Sequence, residues 1–78
     1  MAEVMLDARG LSCPLPILKA RKALRNMQAG QTVEVLSNDP SAPDNFRDFC
    51  KSSNHELLEC TNIEGNVYRF VIKHGGGA

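Results

Sequence analysis

The feature that most constrains this chain is an amphipathic helical pattern lying between two short β-rich segments. Residues 4–7 form one candidate strand, and residues 32–36 form a second that is rich in β-branched side chains. Between them, over residues 14–27, the apolar residues that recur at helical spacing are Ile17, Ala20, Leu24 and Met27. This order predicts a βαβ unit whose two strands pair in parallel.

The second half of the chain predicts one more helix and a hairpin. Ser41 and Asp44 match a capping box at the start of a helix, and the residues that this helix is expected to bury are Phe46, Phe49 and Cys50. Residues 55–63 and 67–73 then flank a three-residue connection that contains a glycine. The order β-α-β-α-β-β with right-handed crossovers predicts an α+β fold, a two-layer α/β sandwich with a mixed four-stranded sheet and two helices on one face.

Length, termini and cysteine content narrow the class of protein. The 78 residues suffice for one domain, expected over residues 1–73 with a flexible glycine-rich tail at 74–78, so chemistry is expected at the surface. The N-terminus lacks a signal peptide's basic region and a membrane-length apolar run, which predicts a soluble cytoplasmic protein. Cys13, Cys50 and Cys60 form no CxxC pair and leave one thiol unmatched, so we expect reduced thiols, no metal and no cofactor.

Cys13 is the candidate catalytic residue. It stands where the loop at residues 9–12 meets the first helix, and Pro14 and Pro16 after it suit a first helical turn. We therefore predict Cys13 at the N-cap, where the Leu15 amide and the helix dipole favour a thiolate. A structural cap is the alternative, although serine would cap better. No second cysteine or histidine is close in sequence, so the pattern predicts a nucleophile that holds sulfur as a persulfide and passes it on.

Asp39 is a second candidate at the same site. It belongs to the Asn38-Asp39-Pro40 turn that follows the second strand. Loops after parallel strands emerge at one edge of a sheet, which places this turn within reach of Cys13. Asp39 is either a turn former or a polar contact for the thiol loop or a partner.

The remaining cysteines and the histidines are not expected to take part in the chemistry. Cys50 lies on an apolar helical stripe and Cys60 lies among strand residues, so both are expected to be buried structural thiols. His55 and His74 show no spacing that points to chemistry, and we interpret them as incidental.

The net charge of zero hides an asymmetry, because all charged residues between positions 8 and 33 are basic. Those on the first helix are Lys19, Arg21, Lys22 and Arg25. They form a candidate docking surface for acidic partner proteins, although solvated cationic helix faces are common. Direct nucleic-acid binding is not favoured, since most of the few aromatic residues are needed in the core.

Residues 6–16 read Leu-Asp-Ala-Arg-Gly-Leu-Ser-Cys-Pro-Leu-Pro. Followed by a basic helix, they resemble the Leu-Asp-x-x-Gly-x-x-Cys-Pro-x-Pro pattern of the TusA (SirA-like) family of sulfur carriers. The resemblance continues through residues 25–30, the turn at 38–40, and residues 49–50, 55–57 and 68–70, which covers nearly the whole domain.

The resemblance implies a fold like the C-terminal domain of translation initiation factor three and a sulfurtransferase-type persulfide carrier. It implies that Cys13 accepts sulfur from a cysteine desulfurase or another donor and relays it to acceptor proteins. Acceptors in this family serve tRNA 2-thiouridine synthesis, sulfur oxidation or molybdenum cofactor supply. Members linked to tRNA thiolation can carry Glu where this chain has Leu15, and Leu-containing members are similar to sulfur-oxidation carriers.

Two other classes of function stay open from the sequence. Gly76-Gly77 suggests a thiocarboxylate carrier, but Ala78 follows and would block adenylation unless trimmed. The basic first helix also allows a non-enzymatic regulatory or RNA-binding module.

Overall fold

Six elements follow one another in the order that the sequence predicts. The computed structural model describes residues 4–76. The elements are β1 (Val4–Asp7), α1 (Leu15–Arg25), β2 (Thr32–Ser37), α2 (Ala42–Ser53), β3 (Glu56–Glu64) and β4 (Val67–Lys73).

The strands form a mixed sheet in the order β1-β2-β4-β3, which confirms the predicted α+β fold. β1 pairs in parallel with β2, so Val4 lies opposite Val33, as the βαβ pattern predicts. β4 runs antiparallel to both β2 and β3. The carboxyl ends of β1 and β2 therefore share one edge of the sheet, and the loops that follow them lie side by side.

One face of the sheet carries both helices. The register places Val35 of β2 opposite Phe70 of β4, and both side chains are fully buried on this face. Phe46 of α2 stacks on Phe70 with ring centroids 4.4 Å apart, while Ala20 and Leu24 of α1 join the same core. The two helices thus share a single core and form one layer.

The other face of the sheet has no helix over it among residues 4–76. Its centre is an ionic cluster in which Arg69 of β4 pairs with Glu34 of β2 at 3.0 Å and with Glu59 of β3. These contacts hold three neighbouring strands together across the open face.

Several boundaries differ from the sequence predictions, most of them by one or two residues. α1 ends at Arg25, and Met27 enters the core from the loop that follows. The hairpin connection is Gly65-Asn66, because Glu64 already pairs with Val67. His74 is not part of a free tail, because it is buried at 8% exposure. Its backbone amide donates to the Gln31 carbonyl, and its carbonyl accepts from the Gly30 amide. Gly77 and Ala78 of the predicted tail lie outside the described residues.

Candidate functional site

Cys13 lies at the edge where β1 and β2 end, in the loop between β1 and α1. It is exposed, whereas Cys50 is buried and Cys60 is half-buried. Burial raises the pKa of the Cys50 thiol to about 11, so that group stays protonated near neutral pH. Cys13 is therefore the most exposed of the three thiols.

Asp39 fixes the position of Cys13 through the backbone. The Cys13 amide donates to Asp39 Oδ2 at 2.7 Å, and this contact confirms that the turn after β2 reaches the thiol loop. The other carboxylate oxygen, Oδ1, accepts from the Ser41 amide at 3.0 Å and from the Ser41 hydroxyl at 2.9 Å. These bonds, those from Ser41 first and that from Cys13 after them, hold the pKa of Asp39 below its usual value.

A second contact joins the same two loops. The Gly10 amide donates to Asn38 Oδ1 at 3.0 Å, and Gly10 adopts a φ of +83°, a conformation that side chains disfavour. The Asp39 amide in turn donates to the hydroxyl of Ser37, which is fully buried. Between the two loops lies an open cleft of about 260 Å³ that Ser12 and Pro40 help to line. The loop that carries Cys13 is thus tied to the turn after β2 by the side chains of Asn38 and Asp39.

The predicted N-cap role of Cys13 is wrong. The Leu15 amide donates to the Ser12 carbonyl at 2.9 Å, so it is not available to the Cys13 sulfur. The residues between them, Cys13 and Pro14, are joined by a cis peptide bond, and Pro14 becomes the N-cap without a side-chain hydrogen bond. The first helical turn therefore begins one residue later than predicted, with Leu15 and Pro16 as its first two positions. Cys13 lies just outside the helix.

The predicted capping box of α2 is also wrong. Ser41 is the N-cap, but its side chain makes no cap hydrogen bond, because its hydroxyl donates to Asp39 and accepts from Asn45. Asp44 pairs instead with Arg47 at the surface. Because Asp39 binds the Ser41 hydroxyl with one carboxylate oxygen and the Cys13 amide with the other, it connects the start of α2 to Cys13.

Two leucines of α1 stay exposed near Cys13. Leu15 and Leu18 are 46% and 47% exposed and lie three residues apart, so they share a face of the first helical turn. Pro16, between them, is buried. The surface beside the thiol is therefore partly apolar.

The structure separates the four cations of α1. Lys19 lies toward β1: the pKa of Asp7 falls to about 2, chiefly through hydrogen bonds from Arg9 and to a small extent through the charge of Lys19. Arg21 and Arg25 line a groove at the other end of the helix. Lys22 is exposed and does not line that groove. The predicted docking surface is therefore divided: Arg21 and Arg25 line the groove, whereas Lys19 and Lys22 lie outside it.

The histidines are not incidental, and sequence reasoning missed them. His55 and His74 lie with ring centroids 4.7 Å apart, at the edge of the sheet opposite Cys13. His55 Nδ1 accepts from the Gly75 amide and His74 Nδ1 accepts from the Gly76 amide, each at 3.0 Å. The sequence did contain a signal: His55 directly precedes β3 and His74 directly follows β4, so the two ends of the hairpin bring them to the same edge of the sheet.

The family model described as Sulfurtransferase TusA matches residues 4–74, which includes every element of the fold and Cys13. This chain belongs to the TusA sulfurtransferase family. Its role is accordingly that of a sulfur carrier.

Individual TusA relatives agree with this assignment. The chain is 46% identical over 69 residues to a putative sulfur carrier protein of Neisseria meningitidis, covering 88% of this chain and 92% of the relative. It is also 46% identical over 68 residues to the sulfur carrier protein TusA of Allochromatium vinosum, covering 87% and 88%. The crystal structure of a SirA-like protein from Desulfitobacterium hafniense superimposes with a TM-score of 0.81 at 27% identity, covering 92% of this chain and 97% of that one.

Within residues 4–76, the side chains of this TusA family member form no group of three or more His, Cys, Asp or Glu that could hold a metal ion. In the same range, no helix is long and apolar enough to cross a membrane.

Proposed function

We propose that this protein carries sulfane sulfur as a persulfide on Cys13. The observation that supports it is that Cys13 is the exposed thiol, on a loop whose backbone is tied to Asp39, while Cys50 is buried. A carrier needs a thiol that two different partners can reach in turn, and a loop at the sheet edge offers this access. The sulfur-carrier names of its relatives support the same chemistry.

The transfer step needs no external oxidant or reductant. The Cys13 thiolate attacks the outer sulfur of a donor persulfide, the donor's S–S bond breaks, and the donor leaves as a thiolate. A new S–S bond forms, so Cys13 becomes Cys–S–SH with the outer sulfur and its proton or charge transferred. Attack by an acceptor thiolate on that outer sulfur reverses the roles and regenerates the Cys13 thiolate. Each step exchanges one S–S bond for another.

The donor that fits this chemistry is a cysteine desulfurase or another protein persulfide. Its docking surface would include Asp39 and the two exposed cations of α1 that lie outside the groove, Lys19 and Lys22, which favour an acidic partner. The exposed Leu15 and Leu18 beside the thiol would contact apolar partner groups. Thiol-based relay of this kind belongs in a reducing compartment, which supports a cytoplasmic location.

The acceptor is a second protein in a sulfur relay. Leu15, at the position where carriers linked to tRNA thiolation can carry Glu, favours an acceptor of the sulfur-oxidation branch, with tRNA 2-thiouridine synthesis as the other candidate. An isotope-labelled carrier offered to acceptors of each branch distinguishes them by the protein that receives the label.

Intact mass under non-reducing conditions tests the proposal. The reduced protein is incubated with a pyridoxal-phosphate cysteine desulfurase and cysteine, in parallel with Cys13→Ser and with the double variant Cys50→Ser/Cys60→Ser. We expect the mass of one added sulfur atom in the wild type and in the double variant, and none in Cys13→Ser. The double variant is the matched control, because it keeps the exposed thiol and removes the other two.

Loading in Cys13→Ser, or its loss in the double variant alone, would assign the sulfur to another cysteine and refute the proposal. An unloaded wild type would exclude desulfurase loading, and a small-molecule persulfide donor then decides whether Cys13 carries sulfur at all.

A further inference from the structure

A groove lies between the C-terminal halves of α1 and α2, at the sheet edge opposite Cys13. Its volume is about 740 Å³, within the range of roughly 300–1,000 Å³ that small-molecule sites occupy. Leu24, Met27 and Phe49 supply its apolar surface, and all three belong to the core. The groove is therefore backed by the rigid part of the domain.

The charged side chains of the groove are all cationic. Arg21 and Arg25 stand one helical turn apart and both line it. The Arg21 guanidinium lies over the Phe49 ring, 5.7 Å from its centroid, so it is held beside the apolar surface. Among residues 4–76, no Asp or Glu lines the groove, and neither arginine has a carboxylate partner. Two guanidinium groups are thus left without a counter-charge.

The two imidazoles add further hydrogen-bond donors beside the guanidinium groups. His55 and His74 also line the groove, and the Nδ1 atom of each accepts a backbone amide hydrogen. A neutral imidazole that accepts at Nδ1 carries its proton at Nε2, so both rings keep an Nε2–H donor. The groove thus combines an apolar floor with guanidinium and imidazole donors and has no acidic group to compete for them.

We propose that this groove is a binding site for a small organic anion. Its ligand has an apolar, preferably aromatic body that packs against Leu24, Met27 and Phe49. It also has a carboxylate, sulfonate or phosphate group that Arg21 and Arg25 bind. Arginine forks match such planar or tetrahedral anions through paired hydrogen bonds. The site is separate from Cys13, so it is independent of the sulfur-carrying function.

Titration with 1-naphthalenesulfonate, followed by amide chemical shifts and by calorimetry, tests this site. Two control probes test the two parts of the ligand separately. Inorganic sulfate has the charge without the ring, and 1-naphthylmethanol has the ring without the charge. We expect saturable shifts in the C-terminal halves of α1 and α2, and at least tenfold weaker binding of each control probe. Perturbed Nε2 resonances of His55 and His74 give a second readout that does not depend on any variant.

Variants of α1 decide whether the two arginines bind the anion. Arg21→Gln and Arg25→Gln should each weaken 1-naphthalenesulfonate binding about tenfold, the cost of one charge-assisted contact. Lys22→Gln removes the same charge from the same helix outside the groove, and it should leave the affinity within twofold. Cys13→Ser should bind like the wild type.

Equal weakening in Lys22→Gln, equal binding of 1-naphthylmethanol, or shifts centred elsewhere would overturn the site. An unchanged affinity in both arginine variants would do the same.

Discussion

The two ends of the sheet use the same device with different chemistry. At the Cys13 edge, side-chain oxygens of Asp39 and Asn38 accept backbone amides from the loop after β1. At the opposite edge, imidazole nitrogens of His55 and His74 accept the amides of Gly75 and Gly76. In both cases a side chain at the end of one segment fixes the backbone of another that is distant in sequence.

The difference lies in what the fixed backbone presents. The Cys13 loop is exposed beside an open cleft, so it offers a reactive atom to whatever approaches. The histidine edge borders a larger groove with an apolar floor, and Gly75 passes close against the backbone of Asn54. The Cys13 edge thus exposes a thiol to approaching molecules, whereas the histidine edge forms the wall of a groove. The following predictions test that distinction, from the largest effect to the smallest.

The largest effect is expected from a methyl group at the histidine edge. In Gly75→Ala the new Cβ would lie 1.8 Å from the Asn54 carbonyl oxygen, so the backbone must move away from α2. Overpacking of this kind costs about 2 kcal/mol of unfolding free energy. Chemical denaturation measures the loss, and persulfide loading of Cys13 should be unchanged in the folded variant.

Gly10→Ala is the matched substitution at the Cys13 edge. No atom lies within 4 Å of its new Cβ, so its cost comes only from the φ of +83°. We expect a loss of about 1 kcal/mol, the usual cost of a left-handed alanine. A larger loss in Gly10→Ala than in Gly75→Ala would reverse the interpretation that only the histidine edge is closely packed.

Asp39→Asn should loosen the Cys13 edge alone. The amide nitrogen that replaces Oδ2 is a donor, so it cannot accept from the Cys13 amide, whereas Oδ1 can still accept from Ser41. We expect hydrogen exchange of the Cys13 amide to accelerate about threefold. Exchange of the Gly75 amide is the internal control, and acceleration there would show that the two edges are coupled.

The smallest effect is a difference in pH response between the edges. The pKa of His55 lies below its ordinary value, first because of burial and then because of the charge of His74. As the pH falls, His55 is therefore protonated in the unfolded chain before it is protonated in the folded chain. The contribution of His55 to stability is complete above about pH 6.5 and falls as the pH drops through the lower folded pKa. Asp39 also has a lowered pKa, so its contribution is complete above about pH 4 and falls only in stronger acid.

Denaturation midpoints recorded from about pH 8 down to about pH 5 isolate the histidine window. His55→Gln should flatten the midpoint over that range, and Asp39→Asn should not. A wild-type midpoint that stays constant until the carboxylates titrate would show that the imidazole contacts do not contribute.

The fold and the meeting of Cys13 with Asp39 could be predicted because local patterns determine both. Helical and alternating periodicity identified each element, and the βαβ order fixed which strand ends share an edge. The loops after β1 and β2 then had to meet, and Cys13 and Asp39 meet there.

The N-cap and the histidine pair could not be predicted for two different physical reasons. Periodicity does not show that the Leu15 amide closes a turn onto Ser12 before the helix begins. The pair depends on strand register: an unshifted hairpin from Glu64 and Val67 would place His55 opposite Gly76. Two one-residue register shifts along β3 bring it opposite His74 instead.

Exposure of Cys13 also determines how long a loaded carrier could last. A sulfur atom held there has no wall of protein around it, so water, oxidants and stray thiols reach it as easily as the intended acceptor does. Fidelity of delivery would then depend on how soon a partner covers the loop after loading. In kinetic terms, the useful lifetime of the cargo is a property of partner abundance and on-rate.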